Sequence, residues 1–377
     1  MYFKYALVCL YVVVVLWVSF SLKDKGGPKD ISEPPISKNF ITTKNDTLKI
    51  NTIDSVFTNL HLKNRFNGVV LFAKEGKVLF QKAMGYASFK KKDTLSLNHA
   101  FQLASISKTI TAIGVLRLLD KGLLDLDDSV QKFIPEFPYH NITIKNLLSH
   151  RSGLPNYMYF SDKYWPSSDS LIYIDDVLCL MENKQPEVYY MPNRRYNYCN
   201  TNYAVLSKII VSITKIPFDQ YMKEEVFDIA GMKDAFVLTF DEMHSDSNIA
   251  IGHEWRRKVG HSYLDGVKGD KGIYCSVLDL LQLDKALYDT ILLKQKTIQL
   301  AYEPIHRDLY KSDNYGLGWR LNLADTNNVF VYHSGWWHGF KTAFIRNISN
   351  KNVLIVLSNS TSWRNNNSRF LQGLIKE

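Results

Sequence analysis

Cysteine is scarce in this 377-residue chain, with four thiols at Cys9, Cys179, Cys199 and Cys275 and no C-x-x-C spacing. Cys9 lies in an N-terminal apolar run. The three that remain indicate neither a disulfide framework nor a zinc site. Histidine is also sparse, and His253-Glu254 with His261 matches no recognised ligand spacing, so no cofactor and no metal are expected. The chain has no internal repeat, which excludes solenoids and propellers. It also lacks clusters of basic residues interleaved with aromatics: the net charge is +9, but the lysines and arginines are scattered, which argues against nucleic-acid binding. What is plentiful is core material. With 46% hydrophobic and 13% aromatic residues, a single large globular body is expected.

Long hydrophobic runs are absent but for one. Tyr5 to Leu22 is almost wholly apolar, with Val12-Val13-Val14-Val15 at its centre and Lys4, Lys23 and Lys25 at its flanks. At roughly 18 residues it falls between the core of a signal peptide and a comfortable transmembrane helix. Ser19-Phe20-Ser21 is a poor small-x-small cleavage signal, which favours an uncleaved signal anchor over a cleaved signal peptide. Residues 1–22 are assigned to that segment. Residues 23–50, rich in Lys, Pro, Ser, Thr and Asn without a sustained apolar period, are assigned to a polar linker. The body, residues 51–377, is expected outside the cytoplasm, periplasmic or at the cell surface, anchored through the N-terminal segment to a membrane; secretion after cleavage is the alternative.

Three short motifs carry the chemistry. Ser105-Ile106-Ser107-Lys108 heads an apolar stretch with Ile110, Ile113, Leu116 and Leu119 and a stop at Lys121-Gly122, the pattern of an amphipathic helix with a C-terminal glycine. Residues three apart share a helix face, so Lys108 can reach the Ser105 hydroxyl and serve as its base. Ser88-Phe89-Lys90-Lys91 has the same spacing in a lysine run after a glycine and reads as a solvated turn. Tyr198-Cys199-Asn200 follows a turn-prone stretch and precedes the apolar helix Tyr203 to Ile213. The tyrosine can relay a proton, and the asparagine offers a donor and an acceptor to an amide. Tyr139-His140-Asn141 repeats the pattern in a proline-bounded loop and reads as surface. His333-Ser334-Gly335 follows the strand-like Val329-Phe330-Val331-Tyr332 and precedes Trp336-Trp337; Gly335 leaves room where a substrate backbone approaches an edge strand. Lys341-Thr342-Ala343 is the competitor, rejected because its alanine would obstruct that approach.

In this order the motifs resemble those of the serine β-lactamase-related family, which includes class C β-lactamases, D-alanyl-D-alanine carboxypeptidases, D-aminopeptidases and related esterases. The similarity extends through Asn67-Gly68-Val69-Val70-Leu71-Phe72, Gly85-Tyr86-Ala87, Leu147-Leu148-Ser149-His150-Arg151-Ser152-Gly153-Leu154-Pro155, Gly272-Ile273-Tyr274-Cys275-Ser276 and Tyr315-Gly316-Leu317-Gly318-Trp319. It implies an α/β fold of the β-lactamase/penicillin-binding-protein type: an antiparallel sheet, built from both ends of the chain and flanked by helices, plus a mostly helical inserted domain at about 105–238. It also implies that Ser105 forms an acyl-enzyme, that Lys108 and Tyr198 move protons, and that Asn200, His333, Ser334, Gly335 and Trp336 bind substrate. The backbone N–H groups of Ser105 and Trp336 would form the oxyanion hole. His333 stands where penicillin-processing members carry a lysine, which weakens the expected recognition of a substrate carboxylate. The function implied is an extracytoplasmic serine hydrolase cleaving an amide or ester, with a D-amino-acid peptide or related small substrate, cell-wall-derived peptides among them. A small-ester esterase, a β-lactamase and a non-catalytic ligand-binding sensor are the alternatives.

Overall fold

The computed structural model describes residues 43–167, 169–239, 248–305, 310, 312–363 and 367–377; the apolar run Tyr5 to Leu22 lies outside the described residues. Thr43 begins a capping box, its hydroxyl accepting from the Asp46 N–H while the Asp46 carboxylate accepts from the Thr43 N–H. This starts helix α1, Lys44–Leu62. The linker boundary expected at residue 50 therefore falls inside a helix. Its first turns carry no apolar period because polar residues do the anchoring: Asp46 is buried and pairs with Lys74 at 3.1 Å. Among the described residues no helix is long and apolar enough to cross a membrane.

Strands β1, Gly68–Lys74, and β2, Lys77–Met84, form the opening hairpin. A helical stretch follows, containing α2, Ile106–Asp120; α3, Tyr157–Tyr164; α4, Ile174–Lys184; and α5, Asn200–Thr214. After α6, Val277–Tyr288, the chain returns through β3, Asn314–Tyr315; β4, Arg320–Asn322; β5, Phe330–Trp337; β6, Phe340–Asn347; and β7, Asn352–Ser358, before closing with α7, Ser368–Leu374. The strands join in the order β3-β4-β5-β6-β7-β1-β2, antiparallel throughout. Val69 pairs with Leu357, so both ends of the body meet in one sheet.

The sheet is covered on both faces, which is why β1 reads as a continuous apolar run. Val69, Leu71 and Ala73 join the main core with Ile106, Ile110 and Ile113 of α2. Val70 and Phe72 point the other way, into a second cluster with Ile53 and Phe57 of α1, Leu371 of α7 and Trp363. Helix α2 lies deeper than an amphipathic pattern predicts: Ser107, Lys108, Thr109 and Thr111 are buried along with its apolar residues. The main core runs unbroken from the sheet through α2 and α5, so the segment at about 105–238 is a layer of the same body, and residues 43–377 form one compact unit. That segment ends in a strand, Phe236–Val237, which pairs with Ile273–Cys275, itself paired with Phe101–Gln102.

Candidate active site

Ser105 occupies the N-cap position of α2, directly after Ala104, whose φ of +50° lies in the left-handed region. A β-carbon disfavours that conformation by about 1–2 kcal/mol, so the corner needs external support. Leu103 supplies it, donating its N–H to the Ile273 carbonyl at 2.9 Å and accepting from the Thr342 hydroxyl at 2.8 Å. Strand β5 runs so close that a β-carbon at Gly335 would lie 2.2 Å from the Leu103 carbonyl oxygen. The absence of a side chain at 335 is thus demanded by the protein's own nucleophile turn, a closer neighbour than the substrate backbone the sequence suggested. Thr342 of the rejected competitor motif is a buttress of this turn.

One turn along α2, the Lys108 ammonium donates to Ser105 Oγ at 3.1 Å and to the Asp270 carbonyl at 2.7 Å. Lys108 is 1% exposed, and burial brings its pKa down to about 8, against an opposing pull from Asp270. About a tenth of it is then neutral at pH 7, enough to supply a lone pair to the serine proton. The Tyr198 hydroxyl hydrogen-bonds Ser105, and burial pushes its pKa up to about 12. It therefore remains a protonated phenol that can accept and donate, rather than a standing phenolate.

His150 holds Tyr198 in place. Its Nδ1 accepts from the Cys199 N–H at 3.1 Å, its carbonyl accepts from the Asn197 N–H at 2.9 Å, and its ring packs 4.3 Å from the Tyr198 ring. Cys199 is a packed thiol, raised to about 11 by burial. Asn200 opens α5, with its amide against the Met158 sulfur at 2.8 Å. Ser105, Lys108, Tyr198, Asn200, Ser334, Gly335 and Trp336 all line one cleft of about 390 Å³, and Trp336 stands at its rim, 68% exposed.

His333 does not line that cleft. It is buried behind the wall, with Nδ1 on the Ser334 carbonyl at 2.8 Å and Nε2 on the Tyr315 hydroxyl at 3.2 Å. A carbonyl only accepts, so Nδ1 carries the proton and Nε2 is the acceptor. Burial, then Arg320 and Lys108, hold its pKa well below the usual histidine range. The expected substrate contact at 333 is therefore corrected to a neutral residue that joins β5 to Tyr315.

The cleft's cations come from elsewhere. Arg320 of β4 lines it with its guanidinium 5.4 Å from the Tyr198 ring centre, and among the described residues it has no carboxylate partner. Lys271 also lines it, against Trp337 and Tyr157. Neither was singled out from sequence. Arg320 directly follows the quoted Tyr315-to-Trp319 stretch, and a charged residue immediately after that stretch was the available signal. The two control motifs stay apart from the cleft: Ser88 accepts from the Lys91 N–H in a turn, and Tyr139 donates to the Pro186 carbonyl. Among the described residues no cluster of three His, Cys, Asp or Glu could hold a metal ion.

A family model described as beta-lactamase matches residues 53–374. Penicillin-binding protein 4* of Bacillus subtilis is 32% identical over 323 residues, covering 81% of this chain and 71% of that protein. The putative penicillin-binding protein PbpX of the same organism is 28% identical over 326 residues, covering 84% and 77%. In structure, the penicillin binding protein from Bacillus halodurans is similar with a TM-score of 0.71 at 23% identity, over 81% of this chain and 94% of that one. The D-amino acid amidase from Ochrobactrum anthropi SV3, complexed with L-phenylalanine amide, gives a TM-score of 0.68 at 23% identity, over 86% and 95%. With a serine and a lysine in contact at the mouth of a buried helix and a family match spanning the whole sheet, this chain belongs to the beta-lactamase family and is a serine hydrolase of the S-x-x-K type.

Proposed function

We propose that this protein hydrolyses an amide or ester whose departing half carries a carboxylate, a D-amino-acid peptide being the leading substrate class, through an acyl-enzyme on Ser105. The observation that carries this reading is the 3.1 Å contact between Lys108 and Ser105 inside a cleft that also presents the guanidinium of Arg320, which has no carboxylate partner among the described residues. Neutral Lys108 takes the hydroxyl proton as Ser105 Oγ attacks the carbonyl carbon. The oxyanion is received by the N–H groups of Ser105 and Trp336, each such donor being worth about a hundredfold or more in rate. Tyr198, bonded to Ser105, passes its phenol proton to the leaving nitrogen or oxygen and regains the proton Lys108 took from the serine, and water then discharges the acyl group by the reverse relay. Because Arg320 lies over the ring of Tyr198, the half that departs with that proton is the half whose carboxylate meets the guanidinium bidentately.

The penicillin-binding relatives and the D-amino acid amidase neighbour support D-configured substrates. The lysine-flanked apolar run Tyr5 to Leu22 supports an enzyme tethered outside the cytoplasm, in reach of wall-derived peptides. The test is mass spectrometry of residues 43–377 after exposure to a fluorophosphonate, followed by a panel of D-alanyl-D-alanine peptides with free or amidated C-termini, short acyl esters and a chromogenic cephalosporin. One adduct on Ser105, lost in Ser105→Ala, with preference for the free-carboxylate peptide, is expected. Labelling elsewhere, or a preference for the cephalosporin or the esters, would overturn the mechanism or the substrate class respectively. Export is checked by fractionating cells that express the full chain and one lacking residues 1–22; equal cytoplasmic recovery of both would refute the tether.

A further inference from the structure

Beside Lys108, in the wall of the same cleft, lies a charge pair that the proposed reaction does not use. Asp270 and Lys271 are 1% and 4% exposed and 3.5 Å apart. The Tyr157 hydroxyl bridges them, donating to Asp270 Oδ2 at 3.0 Å and accepting from the Lys271 ammonium. Burying a pair of ions costs more than most contacts return, and an apolar dipeptide would fill the same space. The pair sits on a five-residue segment, 269–273, strapped to α2: the Asp270 carbonyl takes a hydrogen bond from Lys108, the Gly269 carbonyl takes one from Thr111 at 2.8 Å, and the Ile273 N–H donates to Ser107 Oγ at 3.2 Å. Gly269 and Gly272 bracket it with φ of +96° and +89°, the left-handed turns that let it hug the helix.

We propose that Asp270 and Lys271 are positioning residues for Lys108, a buried couple of opposite charges that sets the pH range in which this amine works as the base. The inference rests on the reading of Ser105 and Lys108 as nucleophile and base. Asp270 contributes twice, by its carbonyl, which aims the amine at Ser105, and by its carboxylate, which favours the charged amine. Lys271 offsets the second effect by pairing with the same carboxylate at 3.5 Å, and its own pKa is held down by burial and then by the Lys108 charge. The other groups facing Lys108 are Ser105 on its own helix, Tyr198, Cys199 and Tyr203 from the α5 side, Arg320 from β4 and His333 from β5. Among the described residues Asp270 supplies the carboxylate in this set.

The rate of fluorophosphonate labelling of residues 43–377 reads the base directly, because the Ser105 oxygen forms a bond to phosphorus, fluoride leaves, and the hydroxyl proton passes to Lys108. In the wild type the rate rises with pH as Lys108 loses its proton. In Asp270→Asn the rise moves to lower pH by about one unit, and in Lys271→Met to higher pH by a comparable amount, with near-native circular dichroism in both. The double variant returns toward the wild type. Shifts of opposite sign from adjacent residues are not produced by loosened packing; where only one single variant folds, a shift in its stated direction supports the inference and an unshifted or reversed profile overturns it. Superimposable profiles, or shifts of the same sign, would overturn the inference while leaving Ser105 and Lys108 intact. A wild type that never labels overturns both.

Discussion

Lys108 meets the two demands on a general base, proximity and a lone pair, because the helix that carries it is buried on every side. Its pKa of about 8 places the rise of acyl-transfer rate between about pH 7 and 9: protonated amine below, neutral amine above. A pH profile of kcat/KM flat across that range would contradict the assignment. Tyr198→Phe keeps the ring against His150 but removes the relay hydroxyl, and a loss of about a hundredfold in kcat is expected. Arg320→Met is expected to cost about 2–3 kcal/mol in kcat/KM, near a hundredfold, on a substrate with a free carboxylate. The same variant should treat the amidated analogue as the wild type does; equal losses on both would assign Arg320 to structure. The Ser105 and Lys108 pairing was legible from a spacing of three. Arg320 was not, because it approaches Ser105 only through the pairing of β4 with β5, more than two hundred positions along the chain.

At the scale of elements, the nucleophile turn and strand β5 constrain each other. Gly335→Ala must drive a methyl group into the Leu103 carbonyl, and a loss of about 1–3 kcal/mol in unfolding free energy, with slowed labelling of Ser105, is expected from overpacking. An unchanged denaturation midpoint would show that the turn yields freely. His333 illustrates what a motif leaves open. Its position in the strand was readable, but its charge depends on what surrounds it, and Arg320, Lys108 and complete burial make it neutral. Helix α1 was missed over its first turns for a related reason: its start is secured by a capping box and by Asp46 pairing with Lys74, and neither produces an apolar period.

Over the whole molecule, both chain ends meet in the sheet, and α1 covers the outer face where Ile53 and Phe57 pack on Phe66 and Trp363. A chain beginning at residue 51 loses the helix cap and the Asp46–Lys74 pair, and urea unfolding should show about 2 kcal/mol less stability than for residues 43–377. The pH dependence has a definite sign. Burial raises the Asp46 pKa, but bonds from Thr43 and Lys74 more than reverse this and hold it below the usual carboxylate range. Lys74, opposed by burial but paired with Asp46, is held above its usual value. The pair's contribution is therefore present between about pH 4 and pH 10, lost in acid as Asp46 protonates and in alkali as Lys74 deprotonates. The advantage of the 43-start chain over the 51-start chain should shrink at both extremes, the helix cap alone remaining in alkali.

By itself the sequence determined whatever depends on local spacing and period. It set the serine and lysine one turn apart, the strand runs Val69 to Phe72 and Phe330 to Tyr332, and the order of three motifs that marks the family, since helical and extended periodicities act over a few residues. The tertiary structure decided charge and accessibility. Whether His333 is an ion, whether Lys108 can lose a proton, and which cation faces the cleft all follow from desolvation and from neighbours brought together by a sheet that joins the two ends of the chain, because the electrostatic energy of a group is set by its surroundings in space.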